Sequence, residues 1–171
     1  MKKNDRIRPD TKRLTLLSVL VAVAMILSYV ESLVPAFVAV PGVKMGLSNI
    51  ATVFALYTLG PVAAVSVSLV RVCLSALLFG NAASLIYSLF GAAFALLAMI
   101  LLKRLGLFSA MGVSVAGGVM HNAGQVLAAC LVMENAAISI YLAPLAVSGT
   151  LAGVAIGAAA GLLVRKIERF L

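Results

Sequence analysis

Among the polar and charged side chains that interrupt the apolar runs of this 171-residue sequence, eight are candidates for binding a solute: Lys44, Ser48, Asn49, Arg71, Tyr87, His121, Asn122 and Gln125. Their spacing groups them. Lys44 and Ser48, Arg71 and Ser75, and His121 and Gln125 each stand four residues apart, so each pair shares one face of a helix. Cations, an imidazole, carboxamides and a phenol make a binding set rather than a reactive one. Positive groups outnumber Glu31, the carboxylate that closes the first apolar run. The complementary solute therefore carries an anionic or strongly accepting moiety, such as a carboxylate, a phosphate or a conjugated dione.

Catalytic chemistry finds no such set. Prenyl or phosphoryl transfer on Mg²⁺ requires clustered carboxylates, because that ion takes hard oxygen ligands, and the only aspartates are Asp5 and Asp10 in the N-terminal tail. No Walker-type phosphate loop occurs, so the chain does not power transport by itself. One histidine and two separated cysteines do not make a metal pattern, and Cys73 and Cys130 fall inside apolar runs as small hydrophobes. No catalytic residue, metal or cofactor is expected.

The elements that position the polar residues follow from composition. An apolar fraction of 64% and a mean hydropathy of +1.19 exclude a soluble globule. The apolar runs are continuous rather than alternating, so the fold class is all-α, a polytopic membrane bundle whose helices satisfy their own backbone. The first run lacks a small-residue cleavage site followed by a polar domain, so all 171 residues are expected to stay in one transmembrane domain. A basic tail, 1–12, precedes six spans at about 13–33, 43–59, 62–79, 84–102, 107–132 and 138–164.

Charge sets the orientation. Lys2, Lys3, Arg6, Arg8, Lys12, Arg13, Lys103, Arg104, Arg165, Lys166 and Arg169 are eleven of the thirteen basic residues. Six alternating spans put all three of their clusters on one side, the cytoplasm, so both termini are inside a multi-pass protein of the plasma membrane. The net charge of +8 is then explained by topology and anionic lipid rather than by nucleic acid. With that orientation, Glu31, Lys44, Ser48, Asn49, Arg71, Tyr87, His121, Asn122 and Gln125 all fall from mid-depth to the outer face. A polar lining open to the outside and sealed below by apolar helix describes a cavity for a small-molecule ligand, and Gly117-Gly118 beneath His121 would allow local unwinding.

Each member has an alternative reading. Arg71 and Glu31 can form an internal ion pair, Lys44 can extend to the interface, and His121 can be a packing residue. Tyr29, Tyr57 and Tyr141 suit an aromatic belt. Gly149, Gly153, Gly157 and Gly161 recur every four residues, a small-residue ridge for packing within the chain or for a separate subunit. Ser18, Ala22, Ala24 and Ser28 give the first helix a weaker small face.

Taken together, several stretches resemble the Gx transporter family, also labelled heptaprenyl diphosphate synthase component I. They are Gly42-Val43-Lys44-Met45-Gly46-Leu47-Ser48-Asn49-Ile50, Phe54-Ala55-Leu56-Tyr57 through Gly60-Pro61, Arg71-Val72 to Leu78-Phe79-Gly80, Tyr87-Ser88 and His121-Asn122-x-x-Gln125. The resemblance runs from about residue 12 to 165. It implies a six-helix protein similar to the substrate-binding S components of energy-coupling factor transporters, docking through Ser18, Ala22 and Ala24 on a transmembrane coupling subunit that works with ATPases. It also implies a link to isoprenoid, quinone or flavin metabolism. The other function class consistent with the sequence is a non-catalytic accessory subunit of a prenyl-lipid, quinone or flavin-linked electron-transfer system.

Overall fold

The computed structural model describes residues 11–33 and 46–168. The described residues are helical apart from short turns. In order they form α1 (Thr11–Leu33), α2 (Asn49–Thr58), α3 (Pro61–Phe79), α4 (Ala82–Leu105), α5 (Ala110–Val132), a 3-10 segment (Ala136–Tyr141) and α6 (Leu142–Glu168). Local chemistry sets the ends. Pro61 opens α3, where its missing N–H costs nothing. Asn81 caps α4 by accepting from Ser84 N at 2.8 Å, and Ser109 caps α5 by accepting from Gly112 N at 3.3 Å. Gly106, at φ 69°, turns the chain out of α4 just after the basic pair Lys103 and Arg104.

Among the described residues, five stretches are long and apolar enough to cross a membrane: α1, α3, α4, α5, and α6 with its 3-10 lead-in. The second expected span, 43–59, is corrected. Its helix covers only the ten residues Asn49–Thr58, about 15 Å of rise against a hydrocarbon core of ~30 Å. Gly46 takes φ 77°, and Asn49 N–H and Ile50 N–H bond back to Gly46 and Leu47 carbonyls, so a turn replaces the upper helix. The part of that span below residue 46, including Lys44, lies outside the described residues.

α5 is the packing centre, flanked by α4 and α6. Small residues bring these backbones together. An added Cβ would lie 2.7 Å from Gly118 O at Gly149, 2.5 Å from Val115 Cα at Gly153 and 2.6 Å from Met111 Cα at Gly157. The glycine ridge is therefore occupied by α5 of the same chain through those three positions, whereas a Cβ added at Gly161 would meet nothing within 4 Å among the described residues. Gly117 and Gly118 do not unwind. Both sit inside continuous α5, Gly117 seating Met99 and Gly118 meeting Gly149.

The apolar core draws Ala24 from α1, Val53 and Leu56 from α2, Val67 from α3, Met99 from α4, Val113 from α5 and Ile156 from α6. Large apolar residues also face outward, including Ile26, Leu77, Leu151 and Leu162. Apolar side chains both inside and outside fit a bundle whose solvent is lipid.

Candidate functional site

Arg71, near the middle of α3, is buried at 7% exposure. Its guanidinium reaches α2. Nη1 donates to Ser48 Oγ at 2.6 Å and Nη2 to Asn49 Oδ1 at 3.5 Å. Ser48 precedes α2 and makes no capping bond with its side chain; the hydroxyl faces Arg71 instead. The level is fixed by the short helix, because α2 stops about as far above its inner end as Arg71 stands above Pro61. Ser75, one turn along α3, donates its hydroxyl to the Arg71 carbonyl.

A buried guanidinium in a membrane bundle needs a counter-charge. Glu31 of α1, also 7% exposed, acts electrostatically on Arg71 and accepts the Gly46 backbone N–H. The carboxylate thus holds the turn that precedes α2 while offsetting the charge of the arginine. Arg71 Nε has no hydrogen-bond partner among the described residues.

His121, Asn122 and Gln125 occupy the middle of α5 and are all buried. They divide between two neighbours. His121 and Gln125 straddle Gly91 of α4, where an added Cβ would stand 2.9 Å from His121 Cε1 and 3.0 Å from Gln125 Cγ. Asn122 points the other way and donates through Nδ2 to Leu145 O at 2.6 Å and Ser148 Oγ at 3.4 Å on α6. Its carboxamide is engaged in holding α5 to α6. The Gln125 Oε1 acceptor is buried with no partner among the described residues. Tyr87 is half-buried on α4.

These residues form two groups. Glu31, Ser48, Asn49 and Arg71 tie α1, α2 and α3 together, while His121 and Gln125 lie against α4. α3 and α5 each pack on α4 and on α2, but make at most marginal contact with each other. The helices carrying the two groups therefore flank a common neighbour. No cluster of three metal-ligating side chains occurs among the described residues.

Charge counting missed two basic residues with local tasks. Lys103 Nζ donates to Leu56 O at 2.5 Å and stands 4.8 Å from the Tyr57 ring centroid, and Arg13 Nη2 donates to Leu59 O at 3.2 Å. Both satisfy carbonyls at the C-terminal end of α2, where a cation suits the helix dipole. The signal available in sequence was that α2 ends without a basic residue of its own. Among the small residues of α1, Ser18 and Ala22 are exposed, but Ala24 is fully buried in its own chain and presents nothing to a partner.

The molecule is an all-helical, multi-pass membrane bundle with the fold of a transporter S component. It is similar to a solved structure described as the structure and mechanism of the S component of a bacterial ECF transporter. The match has a TM-score of 0.66 and 21% sequence identity, covering 94% of this chain and 97% of that one. The family model for heptaprenyl diphosphate synthase component I matches residues 20–163, and the chain belongs to that family. No curated protein matches the sequence.

Proposed function

We propose that this protein is a solute-binding membrane subunit of the S-component kind. It takes up a small solute that is anionic or related to quinones, flavins or isoprenoids, and a separate ATPase module energises it. The observation that carries this reading is that two of the buried polar atoms without a hydrogen-bond partner among the described residues are Arg71 Nε, a donor, and Gln125 Oε1, an acceptor. Leaving such groups unmet costs about 1–3 kcal/mol each. A ligand that meets them recovers that cost, and α3 and α5, which carry them, flank α4 without packing on each other. Ser48 and Asn49 orient the guanidinium, His121 and Tyr87 line the α4–α5 side, and Lys44 is the further cation expected there.

The likeness to an S component supports this reading over catalysis. So does the absence from the sequence of an aspartate-rich Mg²⁺ motif, and the word synthase in the family description then serves only as a label. In this reading the basic clusters keep both termini in the cytoplasm of the plasma membrane. Ala22, exposed on α1, faces the transmembrane coupling subunit, whereas Ser18 borders a crevice against α3. The test is purification from membranes, identification of co-purifying small molecules by native mass spectrometry, and affinity measurement for whichever compound is found. Arg71→Ala and Gln125→Ala should each weaken binding at least tenfold. Wild-type affinity in both variants overturns the assignment.

A further inference from the structure

A crevice of about 390 Å³ opens between α1 and α3, bordered by Leu14, Leu17, Ser18 and Val21 on one side and Ser66 and Val70 on the other. We propose that it is a binding site for one anionic phospholipid, with an acyl chain in the crevice and the phosphate at Arg13. The site is independent of the solute site.

The walls call for an apolar filler. Most bordering side chains are aliphatic, and the Ser66 hydroxyl is already turned onto its own helix, donating to Val62 O at 3.0 Å. A Ser hydroxyl bonded in this way presents little demand for water, and a cavity with few polar partners does not hold water well. The two serines create the space, because they are the small residues where α1 and α3 face each other. A methylene occupies roughly the ~30 Å³ of a liquid water, so the crevice admits on the order of ten methylenes of chain. A third helix, about 10 Å across, does not enter between two helices that already pack on each other.

Position and charge choose the lipid class. Leu14 to Val21 are the first turns of α1, and Ser66 to Val70 lie in the first half of α3, so the crevice runs through the leaflet nearest the basic residues. Arg13 precedes Leu14 and is exposed. One of its nitrogens is held by Leu59 O at 3.2 Å, which fixes the guanidinium beside the start of α3. A pinned guanidinium keeps further N–H donors for a phosphate. Headgroup charge is matched at the one end of the crevice where a headgroup would sit.

The test uses the full chain reconstituted in nanodiscs containing equal phosphatidylglycerol and phosphatidylcholine, then released for native mass spectrometry. Wild type should retain one phosphatidylglycerol in preference to phosphatidylcholine. Ser66→Leu, which fills the crevice, should lose that adduct. Arg13→Gln should keep a lipid but lower the phosphatidylglycerol preference about fivefold. Helical circular dichroism of both variants confirms that they are folded. An adduct that persists unchanged in folded Ser66→Leu, equal retention of the two lipids by wild type, or no retained lipid overturns the proposal.

Discussion

Arg71 on α3 donates through Nη1 to Ser48 Oγ at 2.6 Å, so the middle of a full-length helix is fastened to the residue just before a half-length one. Ser48 itself has helical φ and ψ, and its hydroxyl faces the guanidinium instead of capping α2. Glu31 completes the arrangement from α1, holding the Gly46 N–H while offsetting the arginine's charge.

Breaking that group should be costly in a recognisable way. Arg71→Ala leaves Glu31 buried without its cation and should lower stability by about 3–5 kcal/mol. Arg71→Lys should recover only part, because a single ammonium cannot reach Ser48 and Asn49 with the same fork. The double variant Glu31→Gln, Arg71→Gln should lose less than the sum of the two single losses. Thermal unfolding midpoints in detergent read all of these, and strictly additive losses would refute the pairing.

Asn122 and Gln125 lie three residues apart on α5 yet should respond oppositely to substitution. Asn122→Leu removes the donor to Leu145 O and inserts bulk beside Gly149, whose added Cβ would stand 2.9 Å from Asn122 Nδ2. A loss of about 1–3 kcal/mol follows. Gln125→Leu removes a buried oxygen that has no partner among the described residues, so stability should hold or rise while solute binding falls. Unfolding midpoints measured beside ligand affinity separate the two. A Gln125→Leu protein as destabilised as Asn122→Leu would mean that the carboxamide is structural.

Much of the fold was legible because membrane helices announce themselves through long apolar runs and their punctuation. Gly60-Pro61, Gly80-Asn81 and Lys103-Arg104 with Gly106 each mark a boundary within a few residues of where the helices end. The length of α2 was not legible. Residues 43–59 are apolar enough to read as one helix, and nothing local says that Gly46 adopts positive φ. The polar residues were identifiable by type, but the neighbour each one faces was not. His121 and Asn122 are adjacent in sequence and point to α4 and α6, a distinction set by helix rotation. Lys103 looked like one more cytoplasmic charge because only tertiary packing brings it to the end of α2.

The glycine ridge of α6 gives a graded series. Gly153→Leu drives a side chain into the Val115 Cα and Ser114 carbonyl, backbone that cannot move aside, and should forbid close α5–α6 packing. At Gly161 an added Cβ meets nothing within 4 Å among the described residues, so Gly161→Leu should change stability by no more than about 0.5 kcal/mol. Size-exclusion profiles of fluorescent fusions should show aggregation for the first and a wild-type peak for the second. Equal damage at both positions would place another partner against the lower ridge.

Lys103 and Arg104 are neighbours at the end of α4, and each contributes one positive charge to the same loop. If their only task is to hold topology, Lys103→Met and Arg104→Met should be equivalent. They should not be, because Lys103 alone bonds Leu56 O and stands over Tyr57, whereas Arg104 is exposed. Lys103→Met leaves a carbonyl at the end of α2 without its donor and removes the cation from the ring, a loss on the order of 2 kcal/mol. Arg104→Met should stay near wild type. Unfolding midpoints of the two variants, with labelling of a cysteine placed in the 105–109 loop to verify orientation, make the comparison. Equal midpoints would reduce Lys103 to a topology charge and leave α2 held at its inner end by Arg13 alone.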